Sequence, residues 1–353
     1  MLIAVSISRS PIVDDLCAAV GSTPLVRLSR LFPRAEIRTE VLAKVESMNP
    51  GWSAKDRPAV SMLDDALNRG VLAPGGTVIE SSSGNLGISL ARACTLRNVH
   101  FVCVVDSRAN RSTVAAIRAL GARIEVVDQP DPATGDLLTA RLARVRQLLE
   151  EIPGSVNLYQ YGNPANARAH CDGTMREIAE ATGGQLDVMV AACSTTGTIG
   201  GCQSYITEHG MQTELVAVDA VGSVLFGGTP GARLLPGMGA GFVTDLSREV
   251  RPDRVIRVSE RQCIAGARLL AQREGILAGA STGGVVCATA QVLRERPHLS
   301  RLAVMVHDGG LPYLETVYDD DWVRENLGLT PEEIETTMDE IAGLPTNDGT
   351  DRD

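Results

Sequence analysis

Short runs of β-branched and aliphatic residues recur along the chain, separated by longer stretches with helical apolar spacing. The runs Val41–Val45, Thr77–Glu80, His100–Val105, Arg123–Val127, Val188–Ala192, Leu215–Asp219 and Leu302–Val306 predict strands. Most are almost continuously apolar, as strands covered on both faces of a parallel sheet are. After Lys55, the residues Val60, Leu63, Ala66 and Leu67 share one helical face, with Pro58 in the first turn and Gly70 at the end. Ser112 to Leu120 predicts a second helix, with Ser112 as N-cap and Gly121 as stop. Leu137–Leu149 predicts a third, after a loop over Asp128–Gly135 and before the turn Pro153-Gly154. Thr330 and Glu333 have the spacing of a capping box for a terminal helix, and Asn347–Asp353 reads as a disordered tail. The βαβα order predicts an α/β fold with open, mostly parallel sheets and right-handed crossovers.

Composition narrows the function classes. The chain has 353 residues, 44% of them hydrophobic, enough for a sizeable core. Its formal net charge is −10, and no stretch concentrates basic residues as a phosphate backbone requires, which argues against nucleic acid as a partner. None of the eight cysteines forms a C-x-x-C pair. They read as buried free thiols in a reducing compartment, not as a zinc site, so no metal is expected. No signal peptide and no run long enough to span a bilayer is apparent, and a cytoplasmic protein is expected.

Lysine is almost absent. Lys44 and Lys55 stand against 31 arginines. Arginine stays protonated in proteins, whereas a lysine with a depressed pKa can act as a base or form a Schiff base with a carbonyl. Lys55 lies in the turn-rich stretch Asn49-Pro50-Gly51-Trp52-Ser53-Ala54-Lys55-Asp56-Arg57 and is the candidate for that chemistry. Lys44, on the preceding strand, reads as an ordinary surface lysine.

Three further stretches each run from a strand into a helix and expose small hydroxyl residues and glycines. They are Glu80-Ser81-Ser82-Ser83-Gly84-Asn85-Leu86-Gly87, Cys193-Ser194-Thr195-Thr196-Gly197-Thr198 and Gly279-Ala280-Ser281-Thr282-Gly283-Gly284. Backbone N–H groups at such a helix start bind anions. The second stretch lacks the Gly-Lys-Ser/Thr ending of a Walker motif and the order of a dinucleotide fingerprint. A small phosphate-bearing cofactor fits it better. Each stretch, taken singly, also fits a plain capped helix start.

Together with Ser22-Thr23-Pro24-Leu25-Val26-Arg27-Leu28 and Lys55-Asp56-Arg57, these stretches resemble the cysteine synthase / cystathionine β-synthase family of fold-type II pyridoxal-phosphate enzymes over roughly residues 20 to 325. The resemblance implies two open, twisted, mostly parallel sheets covered by helices, with the active site between domains. It implies a large domain of residues 1–45 and 156–329, a small mobile domain of 46–155, and a C-terminal extension of 330–353. Lys55 would hold pyridoxal 5'-phosphate as a Schiff base and serve as general base. Asn85 would bond the cofactor's 3′ oxygen, Ser194, Thr195, Thr196, Gly197 and Thr198 would cradle its phosphate, and Ser281 would face the pyridine nitrogen. Ser82, Ser83, Gly84, Asn85 and Leu86 would bind the amino-acid carboxylate. Family members are usually homodimers.

Leu86 stands where cysteine synthases have threonine, Trp52 where many members have glycine, and Ser-Thr-Thr-Gly replaces Gly-Thr-Gly-Gly in the phosphate loop. These departures, with Tyr159-Gln160-Tyr161, Gly222-Ser223-Val224, Leu235-Pro236-Gly237-Met238-Gly239-Ala240 and Gly135 to Arg141, resemble a narrower branch. Its members make N-(2-amino-2-carboxyethyl)-L-glutamate from O-phospho-L-serine and L-glutamate through an aminoacrylate, for 2,3-diaminopropionate in siderophores or peptide antibiotics. Arg141, Tyr161, Ser194 and Gly239 would then serve the second substrate. The alternatives are a cysteine or S-sulfocysteine synthase using phosphoserine or acetylserine, and a non-catalytic regulatory homologue.

Overall fold

Among the described residues nine strands form, most of them short runs rich in valine and alanine, and helices cover both faces of the sheets. A computed structural model describes residues 12–32, 38–133 and 135–343. The expected disorder of Asn347–Asp353 lies outside the described residues. The strands are β1 (Leu25–Arg27), β2 (Glu40–Val45), β3 (Thr77–Ser81), β4 (His100–Asp106), β5 (Arg123–Val127), β6 (Val188–Ala192), β7 (Glu214–Ala220), β8 (Arg254–Val258) and β9 (Arg301–Val306). The helices are α1 (Asp56–Asn68), α2 (Asn85–Leu96), α3 (Arg111–Ala119), α4 (Leu137–Glu151), α5 (Pro164–Ala169), α6 (Arg176–Thr182), α7 (Gly197–Glu208), α8 (Glu260–Glu274), α9 (Ala280–Glu295), α10 (Asp320–Leu327) and α11 (Pro331–Ala342).

Six strands form one sheet in the order β1-β2-β9-β6-β7-β8, and β3-β4-β5 form a second. Every pair is parallel except β1 with β2. Period-two alternation divides the residues of each strand between two cores. In the larger sheet Val188, Val190, Val216, Val218, Leu302 and Val304 face α8, α9 and α11. Met189, Ala191, Leu215, Ala217, Ala303 and Met305 face α6 and α7. In the smaller sheet Val78, Phe101, Cys103 and Val105 pack on α1 and α2, while Ile79, Val102 and Val104 pack on Val145 and Leu148 of α4. Each such fully buried aliphatic side chain contributes roughly 1.5–3 kcal/mol relative to exposure.

All seven predicted strands are present, within a residue or so at either end. The apolar pattern missed β1, which has three residues, and β8, an edge strand whose Arg257 is exposed. Ser112 is not the cap of α3. Asn110 is, and its side chain accepts from the N–H groups of Ser112 and Thr113. The Thr330–Glu333 capping box forms as expected. The eight cysteines are free thiols; seven are buried, and Cys287 is half-buried.

Lys44 is not a surface lysine. It is 2% exposed and donates to the Thr23 carbonyl at 2.6 Å and to Glu177 Oε2 at 2.5 Å. Arg57 bridges the same Glu177 (2.8 Å) to Glu46 (2.6 Å), which also accepts from Thr23 and from Asn49 at 2.7 and 2.9 Å. This buried network ties β2, α1 and α6 together behind the lysine turn. Asp56 completes the turn by accepting from Gly51 N–H at 2.5 Å, and a Cβ at Gly51 would stand 2.2 Å from that carboxylate.

Candidate active site

Ligand sites of open α/β sheets lie beyond the carboxyl ends of the strands. Here the turn bearing Lys55 comes after β2, the Ser82–Asn85 loop follows β3, Ser194–Thr198 follow β6, and His307-Asp308 follow β9. The helices divide into two groups. Asn110, Asp136, Asn163, Ser259, Asp319 and Thr330 cap α3, α4, α5, α8, α10 and α11 through their side chains. The starts of α6 and α1 and of α2, α7 and α9 have no side-chain cap. The starts of α2, α7 and α9 are the ones singled out in the sequence. Gly87 N–H in α2 and Gly197 N–H in α7 donate to Ser82 Oγ and Thr195 Oγ1, and the unpaired first-turn N–H groups are left for another acceptor.

Lys55 is half-buried at the start of α1. Its turn is held by Ala54 N–H donating to the His307 carbonyl at 2.8 Å and by a backbone bridge between Ser53 and Asp308. Burial lowers the Lys55 pKa, and the Asp308 charge opposes that shift. Two histidines nearby are neutral. His307 is pushed down to about 3 by burial and by Lys55, and its Nε2 accepts from Ala192 N–H at 2.9 Å. His170 lies between Thr174 and Thr198, at 2.9 and 3.3 Å. A desolvated amine flanked by neutral histidines suits attack on a carbonyl and proton abstraction.

Asn85 starts α2, and its Nδ2 donates to Asp308 Oδ2 at 2.7 Å; Tyr313 donates to the same oxygen at 2.6 Å. Sequence reasoning missed Asp308 and Tyr313. The available signal was the polar His307-Asp308 directly after an apolar strand.

In the phosphate loop, Ser194 donates to the Gly239 carbonyl at 3.2 Å, and Gly239 N–H donates to the Cys193 carbonyl at 2.7 Å. Thr195 accepts from Asn166 at 3.3 Å, and a Cβ at Gly197 would stand 2.0 Å from the Asn166 side chain. Thr196 has φ 68° and Trp52 φ 64°. Both replace residues that are glycine in many members of the resembled family, and a β-branched residue at positive φ is strained. The Ser281 side chain, 4% exposed in the first turn of α9, makes no hydrogen bond among the described residues. Its hydroxyl is available to a ring nitrogen.

The carboxylate loop is mixed. Ser82 is turned inward, its Oγ accepting from Gly87 N–H at 2.9 Å, and the Leu86 side chain belongs to the core. Leu86 can therefore offer a ligand only its backbone. Ser83 faces Arg141, whose Nη1 lies 3.4 Å from the Ser83 hydroxyl, while Arg141 Nε lies 3.2 Å from Asp106. The Tyr161 ring packs edge-on against Phe242, with centroids 5.0 Å apart. Burial raises the Tyr161 pKa, and the Arg141 charge acts on it in the opposite direction. The structure therefore brings Arg141 and Ser83 together, with Tyr161 within reach of the Arg141 charge.

A depressed-pKa lysine, uncapped helix starts suited to a phosphate and a carboxylate, a free serine hydroxyl and an oriented amide fit a phosphorylated pyridine aldehyde. Fold and site thus define a fold-type II enzyme that works through pyridoxal 5'-phosphate. The chain belongs to the family described as "Pyridoxal-phosphate dependent enzyme", whose model matches residues 16–309. It is 42% identical over 312 residues to N-(2-amino-2-carboxyethyl)-L-glutamate synthase of Ralstonia nicotianae (strain ATCC BAA-1114 / GMI1000), covering 88% of this chain and 91% of that protein. Among solved structures, O-ureido-L-serine synthase matches with a TM-score of 0.79 and 33% identity, over 89% of this chain and 99% of that one. The O-acetylserine dependent cystathionine beta-synthase from Helicobacter pylori also matches at 0.79, with 27% identity over 86% and 98%. The chain is a β-substituted alanine synthase, a transferase that exchanges the β-substituent of an amino acid. Among the described residues, no helix is long and apolar enough to cross a membrane.

Proposed function

We propose that this enzyme joins O-phospho-L-serine to L-glutamate, giving N-(2-amino-2-carboxyethyl)-L-glutamate and phosphate, as a supply of 2,3-diaminopropionate for a siderophore or peptide product. The observation that carries this reading is Arg141 at the rim of the carboxylate loop, 3.4 Å from Ser83. The 42% identity to the Ralstonia enzyme supports the same substrates.

The bound cofactor supplies an electron sink for cleavage at the β-carbon. Lys55 carries it and, as a neutral amine, takes the donor's Cα proton. The first N–H groups of α2 and the Ser83 hydroxyl orient the donor carboxylate, and the start of α7 holds the cofactor phosphate. Ser281 gives the ring nitrogen a neutral partner, whereas a carboxylate there would favour a protonated ring. Arg141, with Tyr161 and Ser194, receives a carboxylate of the glutamate nucleophile in two-pronged geometry. Closure of residues 46–155 excludes water, and the enzyme works as a cytoplasmic homodimer.

The test is product mass after mixing enzyme and phosphoserine with glutamate, sulfide or thiosulfate in turn. The glutamate adduct is expected to form fastest. Faster formation of cysteine or S-sulfocysteine would replace this reading with a sulfur-transfer one. Borohydride reduction should fix the cofactor on Lys55, and Lys55→Ala should abolish that labelling and turnover.

A further inference from the structure

Asp308 follows β9, between β2 and β6 in the larger sheet, and is 4% exposed. Its two oxygens are treated differently. Oδ2 accepts from both Asn85 and Tyr313, at 2.7 and 2.6 Å. Oδ1 is buried and accepts no hydrogen bond of normal geometry, although it packs so close to Gly279 that a Cβ there would stand 2.4 Å away. A carboxylate has about four acceptor positions, and a buried one left open calls for an explanation.

We propose that Asp308 is a positioning residue of the cofactor site: Oδ2 fixes the orientation of the Asn85 amide, and Oδ1 takes the Lys55 ammonium when the site holds neither cofactor nor substrate. The first part follows from the donor inventory. The Asn85 NH₂ group has two hydrogens, and Asp308 occupies one. The amide is thereby locked with its nitrogen toward Asp308, and the second hydrogen remains for the cofactor's 3′ oxygen.

The second part follows from the lysine's neighbours. Among the described residues, Asp308 is the acid whose charge acts on Lys55. His307 already accepts from Ala192 N–H through Nε2, and His170 is held between Thr174 and Thr198. Burial and the Lys55 charge keep both histidines neutral. Tyr313 directs its proton to Asp308. Burial raises the Asp308 pKa, and the Tyr313 and Asn85 donors and the Lys55 charge act against that shift. In the cofactor-free site the Asp308 carboxylate therefore supplies the counter-charge to Lys55.

This inference rests on Lys55 being the cofactor lysine, which borohydride labelling decides separately. The lysine scarcity makes a direct test feasible. Full-length protein stripped of cofactor and labelled with [13Cε]lysine gives two lysine signals, and Lys55→Arg assigns them. Asp308→Asn keeps the shape and should lower the Lys55 titration midpoint by about one pH unit or more, a tenfold loss of proton affinity. Tyr313→Phe removes a donor that disperses the carboxylate charge and should raise it. An unmoved Lys44 signal shows that the fold is kept. If Asp308→Asn does not fold, Tyr313→Phe decides alone. A Lys55 midpoint that stays put or moves the other way overturns the ammonium role. Cofactor affinity, read by fluorescence titration, tests the amide. Asn85→Ala and Asp308→Asn should each weaken binding, and the double variant no further. Additive losses would overturn the positioning role.

Discussion

Lys44 and Glu177 form a buried ion pair, Nζ to Oε2 at 2.5 Å, between a central strand and α6. Burial alone would raise the Glu177 carboxyl, but Arg57 and Lys44 outweigh it and hold the group at about 2. Removing one partner of a buried pair costs about 3–5 kcal/mol, and Arg57 still faces Glu177, so Lys44→Met should cost no more than that. Its thermal midpoint should fall while the cofactor spectrum stays unchanged. A changed spectrum at full occupancy would mean that Lys44 reaches the cofactor. The pair also sets an acid limit. A depressed carboxyl stabilises the fold above its unfolded value near 4.5 and loses that contribution as pH falls toward about 2. Glu177→Gln should flatten stability across that window.

Glu80 lies under the carboxylate loop, 2% exposed, and accepts from Tyr159 N–H at 2.9 Å and Ser81 N–H at 3.2 Å. Burial pushes its carboxyl up to about 7, against the opposing hydrogen bonds. A raised folded value gives stability that is complete below the unfolded value and lost as pH rises through the folded one. Each tenfold difference in proton affinity between the folded and unfolded chain is worth about 1.36 kcal/mol. Relative to Glu80→Gln, the native protein should therefore lose roughly 3 kcal/mol between about pH 4.5 and about pH 8. Denaturant midpoints of both proteins at the two pH values measure it. Parallel curves would show that Glu80 does not titrate in this range.

The parts of the fold legible in the sequence are those fixed by local pattern. Val188–Ala192 and Arg123–Val127 are strands with the expected bounds, because an apolar run bounded by turns has few other uses. Arg254–Val258 was hidden because an edge strand keeps its charged residues. Asn110 and Ser112 both suit a cap, and the side chain that takes both N–H groups was settled only by the three-dimensional turn. Lys55 stood out because lysine is otherwise almost absent, and Asn85 and Ser281 because helix starts with small polar residues carry a local signature. Asp308 meets Asn85 across 223 positions, and Lys44 meets Glu177 across 133. Apolar periodicity cannot show such pairings.

Ser281→Asp tests the ring contact. Position 281 lies in the first turn of α9, where a carboxylate is favoured by the exposed amides, so the variant should fold. A carboxylate facing the ring nitrogen would favour its protonated form. The visible absorption band should shift, and β-replacement should slow by more than about tenfold, roughly 1.4 kcal/mol of barrier. An unchanged band and rate would place the ring elsewhere.

Arg141→Ala separates the demands of the two substrates. On the proposed reading the donor's carboxylate is met by the Ser83 hydroxyl and the start of α2, whereas a carboxylate on the nucleophile needs its own cation. Hydrogen bonds to charged groups are worth about 1.5–3 kcal/mol, so the apparent glutamate constant should rise about ten- to a hundred-fold. The first release of phosphate from phosphoserine, measured without glutamate, should keep a near-native rate. Arg141 also pairs with Asp106 at 3.2 Å, and Asp106 is 7% exposed. The single variant should therefore lose stability by stranding that acid, and Arg141→Ala with Asp106→Asn should regain it without regaining glutamate affinity. If phosphate release fails instead, Arg141 serves the donor. If the double variant restores glutamate use, Arg141 acts only by neutralising Asp106, and the nucleophile's carboxylate is bound by another group.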